Sequence, residues 1–193
     1  MPLHVLPLYS LLPAHAQMRI FDPPPVGSRL CVIATNVAET SITIPGIKYV
    51  VDCGKVKERQ YDVGTEIQTF QVGWTSKASA DQRAGRAGRV GAGHCYRIFS
   101  SAVFDNYFET FQQPEILRTP IEGVVLQMKS MGIDQVVNFP FPTLPEKEAL
   151  ANAEKILCYV GALDNSSSKF NITSSGIIMS KLPISPRFAK MYF

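Results

Sequence analysis

The chain has 193 residues, 46% of them apolar, with 19 Lys and Arg against 16 Asp and Glu and a formal net charge of +3. That is material for one good core, or one core and a small second domain. The charge is too small for a general attraction to nucleic acid, so binding of that kind needs a local site.

In chain order, Leu3 to Leu8 reads as a short strand and Ala14 to Phe21 as a short helix. A Pro-rich loop from Asp22 to Ser28 leads to Leu30–Ala34, a continuous apolar run of the kind that marks a strand buried on both faces. Lys48–Cys53 is a second such run. Val56–Tyr61 and Glu66–Val72 flank Asp62-Val63-Gly64-Thr65, which predicts a hairpin with a four-residue turn. Ser79-Ala80-Asp81-Gln82 reads as a capping box, so a helix is expected to open near Ser79 and to end at Gly91 and Gly93. His94–Phe99 returns as a strand. The alternation over residues 1–111 predicts an open parallel α/β sheet.

After about residue 112 the pattern changes. Ile121, Val124, Val125, Leu126 and Met128 mark a helix ending at Gly132. Thr143-Leu144-Pro145-Glu146 reads as a second capping box, opening a helix through Ala149, Ala153, Ile156, Leu157 and Val160 that Gly161 closes. A turn at Asn165–Ser168 and a strand at Lys169–Thr173 complete a helical unit with a small β-wing over residues 112–184. Residues 185–193 open another helix, and both ends are expected to be cut from a longer protein. Cys31, Cys53, Cys95 and Cys158 form no C-x-x-C pair and are expected to be reduced core thiols. No apolar run is long enough to cross a membrane, and the first residues lack a signal-peptide pattern. His4, His15 and His94 show no metal-ligand spacing.

Two stretches can carry chemistry. In Gln82-Arg83-Ala84-Gly85-Arg86-Ala87-Gly88-Arg89 three arginines recur every third residue, which places them on one face of a two-turn helix. Gly85 and Gly88 are each unfavourable inside a helix by about 1 kcal/mol, so close approach of something large is expected there. Three guanidiniums beside such a gap suit a phosphate chain. The second stretch, Thr35-Asn36-Val37-Ala38-Glu39-Thr40-Ser41, follows a predicted buried strand. Ligands of open α/β sheets bind at that end, and hydroxyls with backbone N–H groups hold phosphate oxygens. A helix cap that satisfies its own backbone is the other reading. The chain has no G-x-x-x-x-G-K-[ST] loop and no acidic pair after a strand. Activating a nucleoside triphosphate would thus need a second half-site. A dinucleotide fold needs a G-x-G-x-x-G turn after a strand, whereas Gly88 and Gly91 fall at a predicted helix end.

Gln82–Arg89 resembles motif VI of superfamily 2 helicases, Ala34–Ile44 resembles motif V, and Leu6-Pro7-Leu8-Tyr9-Ser10 resembles motif IV. Their order is that of the DEAH-box/RHA family of ATP-dependent RNA helicases. The hairpin, Ser76–Ala80 and Pro114–Arg118 are similar as well, so the resemblance covers nearly the whole chain. It implies a RecA-like second lobe over residues 1–111, a winged helix over 112–184 and the start of a helical ratchet-like domain over 185–193. The first lobe would lie before residue 1.

The resemblance further implies that Gln82, Arg86 and Arg89 face the phosphates of ATP, bound with Mg²⁺ held mainly by the first lobe. Arg86 and Arg89 would act as arginine fingers, with Arg83 as an internal brace. Thr35, Asn36 and Thr40 would contact the RNA backbone, and Ser41 would report the γ-phosphate. Phe21 would stack the base, unless it is a core residue. Pro45 stands where many relatives carry an acid that contacts the ribose. Closure of the lobes on ATP would couple hydrolysis to RNA unwinding or ribonucleoprotein remodelling, with the hairpin as wedge or strand guide. The wording of motifs V and VI is similar to members acting in ribosome biogenesis, which implies the nucleus or nucleolus and protein partners; the other reading is the cytoplasm, and no membrane partner is expected. The alternative is a non-catalytic RNA-binding or protein-docking module with a helicase-like fold.

Overall fold

Side chains of the first strand alternate between core and solvent, and this sets the first layer. A computed structural model of the chain describes residues 1–40, 42–62, 67–89, 91–166 and 170–192. Strand β1 (Leu3–Leu8) pairs in parallel with β2 (Arg29–Ala34), with Leu6 opposite Val32 and Leu8 opposite Ala34. The connection is α1 (Ala14–Met18) followed by a 3-10 turn at Arg19–Phe21. Ile20 from that turn packs on Leu6 and Leu8. Period-two alternation sends Leu3, Val5 and Ile33 to the opposite face, where they are exposed, Ile33 to 65%. The apolar run at 30–34 is therefore buried on one face only, because the crossover covers one side of the pair.

A second parallel pair joins β3 (Tyr49–Asp52) to β6 (His94–Arg97), with Tyr49 opposite His94 and Val51 opposite Tyr96. Among the described residues the two pairs are separate small sheets rather than one continuous one. Between β3 and β6 the chain makes a two-stranded sheet of β4 (Lys55–Asp62) and β5 (Ile67–Trp74), then α3 (Lys77–Gly85). The turn expected at Asp62–Thr65 falls largely outside the described residues. Gly54, between β3 and β4, has φ +68°, and a Cβ there would sit 2.7 Å from Phe99 and Phe108. Only glycine meets both demands. Helix α4 (Ser101–Tyr107) follows β6, and Ser100 caps it.

The chain divides into two compact units, one of residues 1–58 and 71–112, the other of 59–70 and 113–193. The second contains α5 (Glu122–Ser130), α6 (Lys147–Tyr159), α7 (Ser174–Met179) and α8 (Pro186–Lys190). A short antiparallel pair, β7 (Leu163–Asp164) and β8 (Asn171–Ile172), forms the wing. Its core is Val125, Leu126, Leu150, Leu157 and Met179, all at 2% exposure or less. Helix α6 opens after Glu146, which supplies no side-chain cap, and not at the Thr143 capping box. Pro145 explains this, since it drives Leu144 out of the helical region. The four cysteines are free thiols, but none is fully buried and Cys53 is exposed. The core-thiol expectation is corrected there: Cys53 follows β3 at the strand end, where the sheet no longer covers it.

Candidate functional site

Helix α3 begins at Lys77, and its cap is Ser76, whose hydroxyl accepts from the Ser79 N–H at 3.1 Å. The capping box at Ser79 is therefore not the start. The N–H groups of Lys77 and Ala78 donate to the carbonyls of Glu109 and Thr110 at 2.8 and 3.1 Å, distant partners that fix the true start. The helix ends at Gly85, six residues before Gly91. Arg86 and Ala87 then donate to the carbonyls of Arg83 and Ala84, a tightening typical of a last turn. Only Arg83 of the three arginines lies in the helix; Arg86 and Arg89 follow it on a turn. A Cβ at Gly85 or Gly88 would meet nothing within 4 Å, so neither glycine is needed for packing among these residues. Gly93 is the constrained one, because a Cβ there would lie 2.1 Å from the Ala87 carbonyl oxygen.

Arg83 is a brace. Its Nε donates to Glu39 at 2.9 Å, Nη1 to Asp52 at 3.0 Å and to the Lys55 carbonyl at 3.1 Å, and Nη2 to Thr75 at 3.2 Å. Burial works against its charge, but the hydrogen bonds to Glu39 and Asp52 outweigh it and raise the guanidinium above its ordinary value. Asp52 is 3% exposed. Its Oδ1 also accepts from the Gly54 N–H at 2.9 Å, while Oδ2 is the buried side-chain atom without a partner among the described residues.

A cavity of about 250 Å³ opens at this end of the first unit. Thr35, Asn36, Glu39, Asp52, Arg86 and Arg89 are among its lining residues. Thr35 and Asn36 are exposed and follow β2 directly, and their carbonyls accept from Ala38 and Glu39 to open α2 (Val37–Thr40). Their side chains make no hydrogen bond among the described residues, so neither serves as a side-chain cap. Among the described residues Arg86 reaches only two backbone carbonyls, Ile42 at 3.5 Å and Thr40 at 3.4 Å. Both are longer than the roughly 2.7–3.2 Å of a well-formed bond. Among the described residues neither Arg86 nor Arg89 pairs with a carboxylate. The one acid on α3, Asp81, is held by Arg97 at 2.5 Å.

The structure thus gathers Thr35, Asn36, Arg86 and Arg89 around one cavity. Gln82 is exposed on α3 but does not line it, and Thr40 contributes its carbonyl to Arg86. Phe21 is 42% exposed beside the buried Ile20 and is not a core residue. Ser41 lies outside the described residues. Sequence reasoning missed Glu39, Asp52 and Thr75 as partners of Arg83. A carboxylate closing an apolar strand, as Asp52 does, was the available signal, since such an acid needs a cation once buried.

Comparison with known proteins follows the same division. Residues 2–91 match the helicase conserved C-terminal domain, and residues 153–184 match the winged-helix helicase-associated domain (HA2). The chain is 63% identical over 190 residues to a probable ATP-dependent RNA helicase, DHR1, of Saccharomyces cerevisiae, covering 98% of the chain and 15% of that protein. It is 56% identical over 203 residues to the probable ATP-dependent RNA helicase DHX37 of Homo sapiens, covering 99% of the chain and 18% of that protein. Among solved structures, the E. coli DExH-box NTPase HrpB superposes with a TM-score of 0.82 at 31% identity, over 98% of this chain and 23% of its own. The chain spans under a fifth of the length of either of these two RNA helicases. The chain thus carries the helicase conserved C-terminal domain over residues 2–91, with a fold similar to the RecA-like C-terminal lobe, and helicase-associated winged-helix sequence over residues 153–184, and it is similar throughout to ATP-dependent RNA helicases.

Proposed function

We propose that the chain supplies one wall of an ATP site and part of the RNA contact in an ATP-dependent RNA helicase. One observation carries this reading: Arg83 takes up both carboxylates of the cavity, which leaves Arg86 and Arg89 as uncompensated positive charge on its wall. That charge suits a polyphosphate. At about 250 Å³ the cavity is smaller than a whole-ligand pocket of roughly 300–1,000 Å³, so it fits the phosphates and leaves the rest of the nucleotide to a facing lobe.

Arg86 and Arg89 act as arginine fingers that stabilise charge on the transferring phosphoryl group. The long contacts of Arg86 to carbonyls are weak enough to be exchanged for phosphate oxygens. Gln82 joins the phosphate side from α3, and Ser41 reports the γ-phosphate. Thr35, Asn36 and Thr40 hold the RNA backbone, a contact largely independent of sequence, and the exposed ring of Phe21 stacks the base. The Mg²⁺ that accompanies ATP is held mainly by the first lobe. Residues 112–184 serve as the winged helix and 185–193 open a further helical domain. The similarity of motifs V and VI to ribosome-biogenesis helicases supports a nuclear or nucleolar role with ribonucleoprotein partners, which imaging of a tagged protein would test.

The test is Arg86→Ala in the full-length protein. The expected loss in RNA-stimulated ATP turnover is about 10³–10⁵-fold. Turnover near that of the unaltered protein would refute the finger assignment. A full-length protein that binds RNA and never hydrolyses ATP would point to the non-catalytic docking module instead.

A further inference from the structure

Five pieces of chain converge on a single guanidinium. Arg83, on α3, holds Glu39 of α2, Asp52 at the end of β3, the carbonyl of Lys55 at the start of β4, and Thr75 just after β5. Glu39 lies three residues beyond Asn36 and one before Thr40. Lys55 and Thr75 are the two roots of the hairpin. Arg86 rests on the carbonyl of Thr40, the last residue of α2, and on that of Ile42, two residues further on. The α2 segment is therefore fastened twice: tightly to Arg83 through a 2.9 Å ion pair, loosely to Arg86 at 3.4–3.5 Å. A displacement of α2 cannot leave Arg83 behind, but it can change where Arg86 points.

We propose that Arg83 is a positioning residue that couples RNA contact at Thr35 and Asn36 to the placement of Arg86. It does so by making α2, α3 and the hairpin roots move as one body. The guanidinium fork is what the role requires, because four donor directions are used at once and the point charge of a lysine satisfies only some of them. The inference rests on the proposed helicase reading, and it adds a residue whose guanidinium is taken up by four partners within the protein.

The test uses the full-length protein with three variants: Arg83→Lys, which keeps the charge and loses the fork; Glu39→Gln, which keeps the shape and loses the ion pair; and Thr75→Val, which removes one bond only. The readouts are ATP turnover without RNA, turnover at saturating RNA, the KM for ATP and the thermal midpoint. For Arg83→Lys and Glu39→Gln the ratio of RNA-stimulated to basal turnover should fall roughly tenfold, while KM for ATP changes by less than about threefold. Thr75→Val should lower the ratio less than either. A ratio unchanged in variants that melt normally overturns the proposal. So does an equal fall in basal and stimulated turnover, which is what general loosening would produce. Glu39→Gln keeps the test open should Arg83→Lys not fold. Arg86→Ala in the same assay separates the two ideas: if it is inert and the Arg83 variants keep their ratio, only the coupling fails, whereas an active Arg86→Ala sinks the underlying reading.

Discussion

Replacing Asp52 separates charge from hydrogen bonding at the brace. Asp52→Ala removes the acceptor of both the Gly54 N–H and Arg83 Nη1. A buried N–H without a partner destabilises by about 1–3 kcal/mol, and breaking a buried ion pair from one side by about 3–5 kcal/mol. These effects overlap, so about 3–5 kcal/mol is expected in total. Asp52→Asn keeps the size and one oxygen acceptor, and its NH₂ takes the place of Oδ2, which has no partner. Both variants break the ion pair, but the retained oxygen still accepts from the two donors, so Asp52→Asn should cost about 1–3 kcal/mol less than Asp52→Ala. Trp74 is the chain's one tryptophan, and it stacks on Phe108 with ring centroids 5.5 Å apart. Its fluorescence therefore reports the first unit, where Asp52 lies. With a urea slope of about 1–3 kcal/mol/M, the Asp52→Ala midpoint should fall by about 2 M and the Asp52→Asn midpoint by about 1 M less than that. Equal midpoints for the two variants would refute the assignment of Asp52 as partner of both donors.

Gly93→Ala places a Cβ 2.1 Å from the Ala87 carbonyl and 2.7 Å from that of Lys48, so backbone must move; a loss of about 1–3 kcal/mol is expected in the same fluorescence assay, and an unshifted midpoint would contradict it. Asp164 is held below the ordinary carboxylate value, first by the Ser166 hydroxyl and then by the Ser166 N–H. Folding thus favours its charged form, a contribution present above the ordinary value near about 3.9 and lost as pH falls through the lower folded value. An NMR titration of Ser166→Ala should show the Asp164 value rising part of the way back, and an unmoved curve would refute the hydroxyl's role. Burial, then the Asp52 charge, raises Cys95. Iodoacetamide at neutral pH should modify the exposed Cys53 first, as peptide mapping would show; the reverse order would contradict the placement of Cys53.

Elements set by local patterning were legible in the sequence. The strand at Leu3–Leu8 and the helix at Pro186–Lys190 lie where alternation and Pro at the first turn place them. Boundaries decided by distant atoms were not. Ser76 and Ser79 are equally good caps by type, and the choice is made by carbonyls at 109 and 110 that no local window contains. Likewise the helix stops at Gly85 although the Arg-x-x-Arg spacing runs on, so Arg86 and Arg89 reach the cavity from a turn. Glycines at 85 and 88 attracted notice because they are unfavourable in helices, yet the crowded position is Gly93. Close backbone approach leaves no composition signal there. The Arg83 partners are spread over residues 39–75 and become neighbours only in the folded chain.

The apolar faces of the two parallel pairs have a practical outcome. Val5 and Ile33 on one pair, and Tyr49, Val51 and Tyr96 on the other, are all about half or more open to water. Parallel strands are normally sandwiched between helices, and contiguous bare hydrocarbon of this kind marks surfaces that stick. A purified sample of these 193 residues should bind hydrophobic dyes and clump as concentration rises. Sulfate and other excluded salts should hasten that precipitation rather than relieve it.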